Sequence, residues 1–458
     1  MTGIAPADRL PVTEVEREPD RGPGSEPTPP RRAPWAFLGR PLFLLGVLLV
    51  ASTAARSVWL STPESVVGDE RYYVSAGRHM VKLPGVEGEY YAGAPAGIDA
   101  NAEHPPLGKL VIATSMRIFG DKPLGWRLPS VLFGTLAVAA LYWLARSAGA
   151  GGWESLFAAA LMAADNLFMV YGRLATLDIM VVVFMMVGVA LYLRRHPLLA
   201  GAVLGVGACT KLVGFSALAV VCVIELLSWA QHRRAARDPR FAPPTTGCGL
   251  PALGACILGS AVVYLALLGF LDQTFTIFPD PITHTRSMLD YAEITTFQVE
   301  AQVRGTLSGG SLAPVSRPWE WLVNRGSFSA QRIAAAPIGQ PGAERMLLDF
   351  QVRLSPFVVL LAIPALLLAA YRAWADADGP SNVAVAWATT TFALLVAVIL
   401  RERVGYLYYM ITVLPGIHLG LARLFCRGRM PRLATLAYGG LVMASVVSMY
   451  PFRTWAGK

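Results

Sequence analysis

The strongest constraint on this chain is its succession of apolar runs of about membrane thickness, set apart by loops that carry arginine. About 20 predominantly apolar residues suffice to span a bilayer core as a helix, and the backbone polar groups of such a segment must be satisfied within it. Runs at residues 36–60, 128–145, 155–170, 177–193, 198–209, 212–229, 250–271, 356–371, 383–400 and 406–424, with a last one ending near Tyr450, give about eleven helices. The run at 198–209 is short for a full span and reads as broken or tilted. Composition agrees: 54% of the 458 residues are hydrophobic and 15% are charged, against ~25% charged in soluble domains. The fold class expected is all-α, a polytopic membrane protein lodged in the lipid bilayer.

The net charge of +9 would suit nucleic acid, but the arginines cluster between apolar runs and read as topology determinants. With the N-terminus cytoplasmic, the inner loops carry Arg31 and Arg32, Arg146, Arg194 and Arg195, Arg233 to Arg240, Arg372, and Arg423 to Arg432, all basic as the positive-inside rule requires. Residues 1–34, rich in Pro, Glu, Arg and Gly without hydrophobic period, read as a disordered cytoplasmic tail. A transmembrane core at 35–271 then carries a first outer loop at 61–126. A long outer loop at 272–353 and a C-terminal transmembrane part at 354–458 complete the division. The first apolar run begins only near Ala33 and is long enough to span, so no cleavable signal peptide is expected. Cys209, Cys222, Cys248, Cys256 and Cys426 lie in or beside apolar runs without a CxxC pair, which indicates neither a disulfide framework nor a zinc site.

The same alternation collects the unusual polar residues on the outer face. Asp69 and Glu70 follow the first run, and two adjacent carboxylates there should face water, a cation or a substrate, because unpaired burial costs several kcal/mol. The same loop carries His104, the stiff Pro105-Pro106 pair and Lys109; Arg173 with Asp178, Lys211, and Arg401 with Arg403 lie at other outer turns. Such a set suits transfer of a sugar from a polyprenyl phosphate to a hydroxyl. The weak nucleophile needs a carboxylate base, and the departing phosphate needs cations. Asp69 and Glu70 fit the base; Lys109, Arg173, Lys211, Arg401 and Arg403 fit the phosphate clamp. Each group also has an ordinary alternative. Asp69 and Glu70 suit a helix N-terminus. His104 suits a solvated loop, Arg173 a local pair with Asp178, Lys211 snorkelling to the interface, and Arg401 and Arg403 a pair with Glu402. Tyr406, Tyr408, Tyr409, Trp319 and Trp321 suit an interfacial aromatic belt. With one histidine near the acidic pair and these cations to hand, no metal site and no cofactor are expected.

Gly-Asp-Glu at 68–70, His-Pro-Pro-Leu-Gly-Lys at 104–109, Gly-Arg-Leu-Ala-Thr-Leu-Asp at 172–178 and Thr-Lys-Leu-Val-Gly at 210–214 resemble the protein O-mannosyltransferases, members of the GT-C class. Pro-Trp-Glu-Trp at 318–321 and Tyr-Leu-Tyr-Tyr-Met at 406–410 resemble the C-terminal part of the bacterial members. The resemblance implies an inverting transferase that takes mannose from polyprenyl-phosphate mannose to Ser or Thr of exported proteins, with the acidic pair on Asp69 and Glu70 and Asp69 as base. It also implies a multi-pass cell-membrane location with the site on the extracytoplasmic face. Two departures bear on the acceptor: the loop at 272–353 has no room for the β-trefoil of eukaryotic members, and Gly68 stands where a hydrophobic residue is usual. A lipid or cell-wall glycan acceptor therefore remains open. A transporter is the reading from another class; transporters place ionisable residues near the midplane of broken helices, whereas most charges here fall at span ends.

Overall fold

The apolar runs fold as helices whose ends are set by local chemistry. A computed structural model describes residues 40–241, 243–294, 315–335, 344–427 and 430–456. The chain divides into units of residues 1–40 and 41–458, and everything below concerns the second. The expected tail at 1–34 lies outside the described residues, as do 295–314 and 336–343 of the long outer loop.

The helices are α1 (Pro41–Ser57), α2 (Glu70–Met80), α3 (Leu107–Phe119), α4 (Pro123–Ser147), α5 (Gly152–Ala163), α6 (Asn166–Tyr171), α7 (Asp178–Leu193), α8 (Pro197–Ala208), α9 (Ser216–Arg237), α10 (Leu250–Phe275) and α11 (Pro281–Ile294). After the single turn α12 (Pro318–Trp321) come α13 (Pro356–Asp376), α14 (Gly379–Leu400), α15 (Leu414–Arg427) and α16 (Arg432–Ser448). Proline in the first turn starts α4, α8, α10, α13 and α14, where its missing N–H is no loss.

Among the described residues five stretches are long and apolar enough to cross a membrane: Pro123–Ser147, Leu212–Arg237, Leu250–Phe275, Pro356–Asp376 and Gly379–Leu400. Four shorter apolar helices accompany them, Pro41–Ser57, Asp178–Leu193, Pro197–Ala208 and Arg432–Ser448. The count of eleven spans is not reached by that measure, for local reasons. Asp165 breaks the run at 155–170, accepting hydrogen bonds from the Leu167 and Phe168 amides to cap α6. The run at 406–424 opens instead as a 3₁₀ turn, Leu407–Thr412. The expected short run at 198–209 is α8, and glycine explains its seat: a Cβ on Gly201 would fall 2.1 Å from the Cys256 carbonyl of α10. Close backbone approach through small residues is how lipid-embedded helices pack.

The expectation of an all-α chain needs one addition. Strands β1 (Phe328–Ala335), β2 (Glu344–Val352) and β3 (Phe452–Ala456) form an antiparallel sheet in the order β1-β2-β3. The last strand arrives from beyond α16, so the sheet begun within 272–353 is completed by residues about a hundred positions later.

Helix ends collect in two sets. In one, Arg423 of α15 donates to Glu154 of α5 at 3.0 and 3.1 Å and to Asp378, before α14, at 2.7 Å. Every member of that set lies at or beside a loop that the arginine pattern assigns to the inside. The other set brings the ends of α2, α6 and α7, the turn at 209–211 and the turn at 401–409 around Asp69.

Candidate active site

Gly68 takes a left-handed backbone at φ +55°, a conformation that glycine adopts without steric penalty, and α2 starts immediately after Asp69. Successive side chains there diverge, so the two carboxylates enter different surroundings. Glu70 goes inward and is wholly buried. Its two oxygens take the Arg127 guanidinium of α4 at 2.9 Å each, and also the amides of Val67 and Ala175 at 2.8 Å. Arg127 further donates to the Leu60, Pro63 and Ser65 carbonyls. Glu70 thereby fastens the start of α2 to α4 and to the 172–178 turn.

Asp69 is half-buried and turned the other way. Its Oδ2 accepts from the Tyr408 hydroxyl at 3.3 Å. Burial lifts its carboxyl above the usual carboxylate range; the charge of Lys211 pulls it back, Asp178 adds to the lift, and the Tyr408 bond lowers it. Lys211 pairs with Asp178 at 2.8 Å and lies 5.8 Å from the Tyr409 ring centroid. Burial depresses its ammonium, yet Asp178, Tyr409 and Asp69 outweigh that and hold it above the ordinary lysine value. Lys211 is therefore charged at neutral pH. Tyr408 is stacked on Tyr171 at 5.2 Å and buried, so it belongs to the site and not to an interfacial belt. Trp321 is also enclosed, its indole N–H bonded to Ser316 at 2.8 Å, while Trp319 is exposed as expected.

The remaining sequence candidates divide. His104 is half-buried near Lys211, Lys109 and Arg403; burial first, then those charges, push its imidazole well below the ordinary value. It is neutral at pH 7, a neighbour of the site that carries no charge. Lys109 is fully enclosed, paired with Asp99 at 2.6 Å and donating to the carbonyls of Asn101 and His104. Lys109, a candidate for the phosphate clamp, is thus taken up by Asp99, as Glu70 is by Arg127. Arg173 does not pair with Asp178 either. Its guanidinium lies 4.6 Å from the Phe452 ring centroid and donates to the Ala55 and Val58 carbonyls and to the Tyr450 hydroxyl. Burial brings it down to about 10. Arg401 is exposed and Arg403 half-buried at the turn beyond α14, around Glu402 at φ +64°.

Sequence reasoning missed Arg127, Asp99 and the inward turn of Tyr408. A lone arginine at the head of an apolar run was the available sign for Arg127. Nothing local distinguishes Asp99 or Tyr408. Among the described residues, no three His, Cys, Asp or Glu side chains are grouped to hold a metal ion.

What the arrangement offers is one basic carboxylate in a partly dry site, a charged lysine nearby, and a rigid frame behind both. Residues 103–242 match the family described as dolichyl-phosphate-mannose-protein mannosyltransferase. The polyprenol-phosphate-mannose–protein mannosyltransferase of Corynebacterium glutamicum is 29% identical over 195 residues, 41% of this chain and 36% of that protein. Its namesake in Mycolicibacterium smegmatis is 26% identical over 144 residues, 31% of this chain and 27% of that protein. The matches thus span about a third of the length of these relatives. The crystal structure of ArnT from Cupriavidus metallidurans bound to undecaprenyl phosphate superposes with a TM-score of 0.54 at 17% identity, covering 88% of this chain and 63% of that one. The fold is accordingly that of the ArnT structure, and the resemblance of the motifs at 104–109, 172–178 and 210–214 to the protein mannosyltransferases is borne out by the match over residues 103–242.

Proposed function

We propose that this protein transfers mannose from a polyprenyl-phosphate mannose donor to Ser or Thr hydroxyls of exported proteins, by a single inverting displacement. The observation that carries the reading is the splitting of the acidic pair. Glu70 is taken up by Arg127, which leaves Asp69, with its raised basicity, as the carboxylate suited to accept a proton. In the reaction Asp69 takes the acceptor hydroxyl proton as that oxygen bonds to the sugar C1. The C1–O bond to phosphate breaks on the opposite face, and its electron pair leaves on the phosphate. Lys211, with Arg401 and Arg403, supplies positive charge for that phosphate. Lys109, Arg173 and Glu70 hold the frame; Asp178 orients Lys211, and His104 lines the site uncharged. The named activities of the curated relatives support the donor and the acceptor, and the lipid phosphate bound to ArnT supports a lipid-linked leaving group.

We assign the protein to the cell membrane as a multi-pass chain, with residues 1–34 inside and residues 61–126 and 272–353 outside. In this assignment 35–271 forms the catalytic core and 354–458 the C-terminal part. The arginine distribution supports the orientation. Purified protein incubated with radiolabelled polyprenyl-phosphate mannose and a Ser/Thr peptide is expected to yield labelled peptide with inverted anomeric configuration. Label on a lipid or cell-wall glycan, with none on peptide, would replace the acceptor; no transfer at all would sink the reading. Accessibility labelling of a cysteine placed at Pro95 is expected only from the outside.

A further inference from the structure

A cleft of about 890 Å³ begins at Gly68, the residue before Asp69. Its floor is Arg71, Val74, Ser75 and Arg78, whose spacing is one face of α2. One wall is the 88–90 loop, and the other is Ser329, Ala330 and Gln331 of β1. The floor is fixed: Arg78 is held by Glu89 and, at 2.6 and 2.9 Å, by Asp121, so the cleft does not depend on a ligand for its shape. Its volume falls in the upper part of the ~300–1,000 Å³ range of ligand pockets. At Gly68 an added Cβ would meet no atom within 4 Å, so the cleft is unobstructed at the residue next to Asp69.

Among the described residues β1 is an edge strand whose one strand neighbour is β2, and the pairing register slips between Ser329 and Arg332. Ala330 and Gln331 therefore stand outside the β2 register and line the cleft; the Gln331 carbonyl takes the Ser329 hydroxyl at 3.1 Å. A sheet edge accepts an extended peptide by main-chain hydrogen bonding. An extended peptide turns alternate side chains to opposite sides, so one hydroxyl can be presented while its neighbours face away.

We propose that the acceptor polypeptide binds in this cleft in extended form, adding as a strand along the outer edge of β1, so that a Ser or Thr hydroxyl reaches Asp69 past Gly68. The occupant is a polypeptide because the cleft runs from β1 to Gly68, the residue before the carboxylate that the chemistry requires. The proposal rests on the protein-acceptor reading above and adds the mode by which that acceptor is held.

The test uses the full-length protein in lipid and a Thr-containing peptide that bears a photoreactive benzophenone two residues from the threonine. Crosslinks are expected to map to residues 66–90 and 328–331. Crosslinks confined elsewhere, or none, overturn the cleft as acceptor site. Mannose transfer to the unlabelled peptide is measured separately. Transfer without crosslinking in the cleft rejects this proposal and leaves the function standing; crosslinking without transfer rejects the protein-acceptor reading and, with it, the cleft as an acceptor site. Strand addition has its own readout. Peptides N-methylated at single backbone positions are expected to show KM raised tenfold or more at alternate positions and little changed between them. Equal tolerance at every position overturns strand addition. Ala330→Trp, which fills the cleft without touching Asp69 or Lys211, is expected to raise peptide KM about tenfold with donor KM unchanged. Unchanged peptide KM in that variant counts against the proposal.

Discussion

Glu70 and Arg127, 57 positions apart, meet through two hydrogen bonds of 2.9 Å with both side chains shut away from solvent. The pair decides what each acid beside Gly68 can do. Removing one member leaves an uncompensated buried charge, which costs about 3–5 kcal/mol. Glu70→Gln and Arg127→Met are each expected to lower the thermal unfolding midpoint sharply, before any effect on chemistry is resolved. The double variant Glu70→Leu with Arg127→Met is expected to be more stable than Arg127→Met alone. Unfolding followed in detergent checks both; full activity and stability in Glu70→Gln would remove the frame from the mechanism.

Asp69→Asn keeps the shape and removes the base. Turnover is expected to fall by about 10²–10⁴-fold, with donor affinity nearly unchanged. Single-turnover transfer alongside a donor-binding measurement separates the two. Near-normal turnover would move the base elsewhere.

The pH profile reports on Asp69 as well. Its carboxyl titrates above the usual aspartate range because it is buried. Activity needs the deprotonated form, so the acid limb of kcat is expected above pH ~4, near which a free aspartate titrates. The Tyr408 bond favours the charged form, and Tyr408→Phe is expected to shift that limb to higher pH by up to about one unit, since one unit corresponds to ~1.4 kcal/mol. His104, held neutral, is expected to add no limb between pH 6 and 7.5. A shift to lower pH in Tyr408→Phe would contradict the assignment.

Two lysines that look alike in the sequence are expected to behave differently. Lys211→Met removes a charge beside Asp69 and also leaves Asp178 without its partner; in the folded fraction, loss of a charged contact worth ~1.5–3 kcal/mol should weaken donor binding tenfold or more. Lys109→Met leaves Asp99 buried without its partner and is expected to destabilise the fold while donor affinity per folded molecule stays near normal. Arg401→Ala and Arg403→Ala are expected to be mild singly and severe together. Donor titrations on the folded fraction of each variant decide it; equal donor affinity in all of them would remove the phosphate clamp.

With Lys211, Arg401 and Arg403 supplying positive charge, transfer is expected to proceed in chelator at close to its full rate. Complete loss, restored by one divalent metal, would assign that charge to the metal.

The helical membrane class and the grouping of Asp69 with Lys211 were legible in the sequence, because apolar length and the placing of charges at the ends of apolar runs survive into the fold. The partners of charged residues were not. Glu70 finds Arg127, Lys109 finds Asp99 and Asp178 finds Lys211 across separations fixed by helix packing alone. Arg173 and Asp178 show the limit well: five positions apart, they bond to different elements. The small sheet escaped notice because β3 lies beyond the last apolar run.

The hydrogen bond between Tyr408 and Asp69 joins positions 339 apart, and neither residue lies within 103–242, the segment that matches the mannosyltransferase family. Inheritance of that segment by another gene would confer the scaffold without the reactive pair. Were the gene divided within the stretch encoding 272–353, the first product would keep Asp69 and Lys211 and the second Tyr408, Arg401 and Arg403. The two products would have to be made in the same cell to rebuild one site, as in fragment complementation.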